Sequence, residues 1–135
     1  MTDIGTVQKW IERLGLRATS TGPQTVQIAV SAKDEKDEKA EPLPPFFIQC
    51  GENWLMMSIL PVIKPSEAPI DELFRQLLFA NRDMRIAKFA LGQSDDIILC
   101  AELPTESLDF PEFADVLQRL AGYCKHYRDF LTRTL

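Results

Sequence analysis

Apolar positions along the chain change their spacing from segment to segment, and each spacing predicts an element. Ile4, Val7, Trp10, Ile11 and Leu14 recur at intervals of three and four, which predicts a short helix over 3–14 stopped by Gly15. The segment TVQIAVS (25–31) alternates instead, with Val26, Ile28 and Val30 on one side, and predicts a half-buried strand. FFIQC (46–50) and NWLMMSILPVI (53–63) read as two strands joined by Gly51-Glu52, a hairpin connection. The second of them is apolar on both faces: Trp54, Met56 and Leu60 point one way, Leu55, Met57 and Ile59 the other. A strand of that kind needs cover on both sides.

After the punctuation KPSEAP (64–69), residues 70–80 predict a helix with Leu73, Phe74, Leu77 and Leu78 inward. RIAKFALG (85–92) and DIILCAELP (96–104) flank a short polar connection and predict a hairpin. On it, Phe89 and Leu91 share one face and Ile86, Lys88 and Ala90 the other, while Ile98, Cys100 and Glu102 share a face of the partner strand. A long amphipathic helix closes the chain. Asp109 is placed as its N-cap with Glu112 at N3, Leu108 and Phe113 occupy the staple positions, and Pro111 sits in the first turn. Its apolar stripe runs through Phe110, Phe113, Leu117, Leu120, Cys124, Tyr127 and Leu131. The order is α-β-β-β-α-β-β-α, an α+β fold with an antiparallel sheet and helices packed mainly on one face. Residues 1–135 are expected to form one domain.

Only 31–45, SAKDEKDEKAEPLPP, departs from this patterning. Alternating Lys with Asp and Glu buries nothing, and Pro42, Pro44 and Pro45 forbid a regular ladder. It reads either as a solvated loop between strands or as a flexible recognition arm.

Charge and cysteine usage narrow the function classes. The net charge is −5, and no basic patch offsets it, so a nucleic-acid partner is not expected. The longest apolar run, WLMMSILPVI, is too short to span a bilayer, and MTDIGTVQKW has no signal-peptide pattern. Cys50, Cys100 and Cys124 form no C-x-x-C pair, which fits reduced thiols and a cytoplasmic protein. His126 is the single histidine; Cys124, two positions away on a helix, does not face it, so neither a zinc site nor a Cys/His pair is expected. Asp95 and Asp96 are explained by turn chemistry, and the six glycines never cluster into a phosphate loop. We therefore expect no enzyme, no cofactor and no metal.

The run from Leu73 to Leu120 resembles the YbjN family of bacterial sensory transduction regulators. The likeness rests on a helix ending near Asn81-Arg82, a KFAL strand at Lys88–Leu91, an acidic turn, a strand ending in Leu103-Pro104, and a long helix. It covers the chain from about residue 72 onward, and the charged stretch 33–41 departs from it. That family shares its fold with class I type III secretion chaperones, small acidic homodimers that bind an extended segment of a client protein. The resemblance thus implies a homodimer with a protein partner.

These readings converge on a non-enzymatic protein-binding module, chaperone- or adaptor-like, which holds an extended segment or a helix of a partner. The residues expected at the partner or dimer face are Met56, Ile86, Lys88, Ala90, Ile98, Cys100 and Glu102. Lys88 and Glu102 are either a cross-strand ion pair or a polar anchor within that face. The strand at 25–31 is expected at a sheet edge, where main-chain pairing adds to apolar burial. The alternative is a small sensory or regulatory domain with a metabolite pocket between the last helix and the sheet.

Overall fold

A computed structural model describes residues 2–30, 43–63, 70–93 and 95–134. The charged stretch at 31–42 and the punctuation at 64–69 lie outside the described residues. The elements run α1 (Ile4–Arg13), β1 (Ala18–Gly22), β2 (Thr25–Ile28), β3 (Phe46–Cys50), β4 (Trp54–Ile63), α2 (Ile70–Asp83), β5 (Ala87–Leu91), β6 (Ile97–Pro104) and α3 (Phe110–Thr134). Strand β1 is absent from the order read in the sequence. Its ATSTG has no apolar alternation, and it becomes a strand by pairing with β2 across the turn at Pro23-Gln24.

Six strands form one antiparallel sheet in the order β1-β2-β3-β4-β6-β5. The chain leaves β4, passes through α2 to the far edge at β5, and turns back so that β6 fills the space between them. This order corrects one expectation: β2, the strand read at 25–31, is internal, and the two edges are β1 and β5.

All three helices lie on one face of the sheet. Val7 and Ile11 of α1, Leu73 and Leu77 of α2, and Phe113, Leu117 and Leu120 of α3 share a single core with Val26, Ile48, Leu55, Met57, Ile59, Phe89 and Leu99. Burying each such Leu, Ile, Met or Phe side chain stabilises the fold by roughly 1.5–3 kcal/mol. On α2 the inward stripe is Leu73, Leu77 and Ala80, continued by Met84 just past its end, whereas Phe74 and Leu78, expected inward, are exposed.

Local chemistry sets the helix ends. Asp3 Oδ1 accepts from the Thr6 amide at 2.8 Å and from its hydroxyl at 2.9 Å, which starts α1. The helix stops in a Schellman motif: Gly15 has φ +76°, its amide donates to Glu12 O, and the Leu16 amide donates to Ile11 O. Asp109 caps α3 by accepting from the Glu112 amide at 2.9 Å, as its sequence position predicts. The exit of β6 is fixed by Thr105, fully buried, whose amide donates to Asn53 O and whose hydroxyl donates to Glu52 O, while its own carbonyl accepts from the Thr2 amide.

Candidate functional site

The sheet face away from the helices is built by strand register. Gln27, Phe47, Ser58, Cys100 and Lys88 form one cross-strand row over β2, β3, β4, β6 and β5. Gln49, Met56 and Glu102 form the next, and Ala90 stands opposite Ile98. The alternation read from the sequence therefore brings Met56, Lys88, Ala90, Ile98, Cys100 and Glu102 onto one surface. Lys88 Nζ lies 3.9 Å from Glu102 Oε1, with both side chains about half exposed. A pair so placed is worth at most about 1 kcal/mol.

Accessibility divides this set. Met56 and Ala90 are half-buried and Lys88 and Glu102 exposed, but Ile98 is 7% and Cys100 2% accessible. Burial raises the Cys100 thiol above its ordinary value, against the lowering influence of Lys88 and with a smaller upward push from Glu102. Ile98 and Cys100 thus support the face from within the chain. Ile86 departs from the expected pattern in another way: it precedes β5, takes φ +72°, and is 54% exposed. The strand alternation that ranked it with Lys88 and Ala90 does not reach it.

A second surface escaped the sequence reading. Between α2 and β5 runs an apolar groove of about 280 Å³, lined by Phe74, Leu77, Leu78, Asn81, Phe89, Ala90, Leu91 and Ile97. Leu78 is 70% and Leu91 53% exposed at its mouth. Leu78 of α2 and Leu91 of β5 thus leave the mouth of the groove apolar and open to solvent. The sequence signal was present in the excess of apolar residues on α2, where Leu73, Phe74, Leu77, Leu78, Phe79 and Ala80 exceed what one face of a helix can bury.

A further cavity of about 390 Å³ lies between α2 and α3, lined by Gln76, Phe79, Ala80, Asp83, His126 and Tyr127. Gln76 Oε1 is buried without a hydrogen-bond partner. His126 itself is exposed, with its ring edge-on to Tyr127 at 4.9 Å. Among the described residues no group of three or more His, Cys, Asp or Glu could hold a metal ion, and no helix is long and apolar enough to cross a membrane.

The fold is that of a known class. The CesT_Tir_1 family model matches residues 2–134, and the chain belongs to that family. Its fold is that of the type III secretion chaperones and of YbjN. The crystal structure of YbjN from E. coli superposes with a TM-score of 0.67 at 15% identity, covering 98% of this chain and 90% of that one. A chain of the ExsC–ExsE complex gives 0.66 at 17% identity, covering 96% and 97%. A chain of the heterodimeric ExoU–SpcU complex from the type III secretion system of Pseudomonas aeruginosa gives 0.56 at 18%, covering 96% and 97%. At such identities the likeness is one of fold. No curated protein matches the chain in sequence.

Proposed function

We propose that this protein is a non-enzymatic chaperone- or adaptor-like module that holds an extended segment or a helix of a partner protein, and that it works as a homodimer. The observation that carries the proposal is the open apolar groove between α2 and β5, with Leu78 and Leu91 exposed at its mouth. Its family membership agrees, and fold neighbours such as the ExsC–ExsE and ExoU–SpcU chains come from complexes between two proteins. On the sheet face, Met56, Lys88, Ala90 and Glu102 are the contacts assigned to a partner, with Ile86 beside them and Ile98 and Cys100 beneath. Apolar burial supplies the driving force, and main-chain pairing at the β1 edge accommodates an extended segment.

The test is affinity capture from the host lysate with wild-type, Met56→Asp and Leu78→Glu baits, beside light scattering of the purified protein. A partner retained by wild type and lost from either variant supports the reading. A monomer whose three baits return the same background overturns it.

The second reading, a regulatory domain that binds a metabolite, has the unpaired Gln76 Oε1 and the α2–α3 cavity in its favour, a cavity between two helices and not the pocket between α3 and the sheet that the sequence suggested. A buried acceptor with no protein donor is satisfied by an N–H or O–H from a ligand or by water. A rise in melting temperature with a metabolite, abolished in Gln76→Leu, is the outcome this reading requires.

A further inference from the structure

Edge strands present unpaired N–H and C=O groups to any other chain, and β5 is an edge. Its central residue is nonetheless fully paired. The Phe89 amide donates to Asn81 Oδ1 at 2.7 Å, and Asn81 Nδ2 donates to Phe89 O at 3.1 Å. In an antiparallel strand the N–H and C=O of one residue point to the same side, and that side alternates along the strand. Both groups of Phe89 meet a side chain from α2, so they face away from β6 even though Phe89 stands opposite Leu99 in the register. The carboxamide of Asn81 offers one acceptor and one donor in the arrangement of a peptide group, and it occupies the place a seventh strand would take.

The first turn of the strand is closed as well. The Ala87 amide donates to Arg85 O at 2.8 Å around Ile86. Of the outward-facing positions of β5, Ala87 and Phe89 thus have their amides engaged, and Leu91 alone remains. The opposite edge differs. Among the described residues no backbone–backbone hydrogen bond joins β1 to any element but β2, and the one side-chain bond to its main chain is local, from Ser20 Oγ to Gly22 O.

We infer that Asn81 is a side-chain seal on the β5 edge, which prevents another strand from pairing there and confines strand addition to β1. The confinement to β1 rests on the protein-binding reading above; the seal does not. Partners that enter the α2–β5 groove find the Phe89 main chain already satisfied. Asn81 is a positioning residue in this role: it acts through the Phe89 main chain and not through contact with a partner.

The experiment uses purified full-length protein without any partner. In the wild type, residue-resolved amide exchange is expected to be at least about tenfold slower at Phe89 than at Leu91, since both face the same open side and only one is bonded. Asn81→Ala is expected to bring Phe89 to the rate of Leu91. It is also expected to produce a concentration-dependent assembly beyond the wild-type state, seen by sedimentation velocity. Adding Leu91→Lys, a charge on the exposed edge, should abolish that assembly without restoring protection at Phe89. A purely structural asparagine predicts a lower melting temperature and no new assembly, and that result overturns the seal. Equal exchange at Phe89 and Leu91 in the wild type overturns it too, without depending on whether the variant folds. Neither result bears on whether the host lysate yields a partner, so the seal and the protein-binding reading fail separately.

Discussion

The backbone amide of Arg85 donates a hydrogen bond to the hydroxyl of Tyr123 at 3.2 Å, and so ties the α2–β5 connection to α3. The next residue, Ile86, has φ +72°, a region in which a β-branched side chain is strained. Its side chain is 54% exposed, so little burial offsets that strain. Ile86→Gly is therefore expected to stabilise the protein by about 1 kcal/mol in urea unfolding, since relief of strain exceeds the lost contacts. Ile86→Ala should give no comparable gain, because alanine is strained there as well. If Ile86 contacts a partner, the more stable glycine variant binds it less well, and stability and binding move in opposite directions.

Asp3 gives the fold a pH-dependent component. Its carboxylate accepts from the Thr6 amide and hydroxyl, and these bonds, the amide first, hold its pKa below the ordinary aspartate value. With the folded value depressed, the unfolded chain binds more protons between the two values, so stability rises with pH across that window. The contribution is complete above the unfolded value of about 4 and is lost as pH falls through the folded one. Chemical denaturation of wild type and Asp3→Asn at several acidic pH values should show the two curves converging as the pH drops. A wild-type advantage that stays constant through this range counts against the assignment.

All three cysteines are buried thiols, and burial raises Cys50 and Cys100 above the ordinary thiol value. A thiol that is both covered and held protonated reacts slowly. Labelling by a thiol-disulfide reagent at neutral pH is expected to follow the rate of global opening, with Cys100 no faster than the others despite the nearby Lys88. Rapid labelling of Cys100 in the native protein would show that the sheet face opens locally.

The parts of the fold that the sequence predicts are those where the pattern admits a single solution. Asp109, Glu112 and the α3 stripe have one helical phase, and the Phe89–Leu99 hairpin has one register that buries both residues. Where apolar residues are too many or too few, pattern stops deciding. On α2, Leu73 and Leu77 are buried and Phe74 and Leu78 exposed, yet all four are apolar, so only packing against β5 selects the phase. On β1 the sequence ATSTG has nothing to alternate, and the strand exists because β2 offers it an edge. The candidate face was legible to the level of strand register but not of cover. Cys100 and Ile98 face away from the helices and are still buried, which depends on neighbours distant in sequence. The strain at Ile86 leaves no sequence signal, and Asn81 is legible only as half of the Asn81-Arg82 pair and not as a seal, since both roles depend on backbone direction.

Adjacent positions on α2 separate stability from binding. Leu77 is 7% exposed and points into the core, while Leu78 beside it is 70% exposed at the mouth of the groove. Leu77→Ala leaves a cavity under the sheet and is expected to cost about 2–5 kcal/mol. Leu78→Glu places a charge where water already reaches and should change stability by no more than about 0.5 kcal/mol. The charge nonetheless lies against Phe74 and Leu91, so an apolar partner side chain entering the groove would have to desolvate it. Denaturation midpoints together with retention of a captured partner check the contrast. The expected outcome is a folded Leu78→Glu protein that no longer retains its partner, beside a less stable Leu77→Ala protein that loses less of it at low temperature, because Leu77, 7% exposed, only floors the groove. If Leu78→Glu keeps the partner at wild-type level, the groove is not the docking surface, and the sheet face around Met56 and Lys88 becomes the place to look.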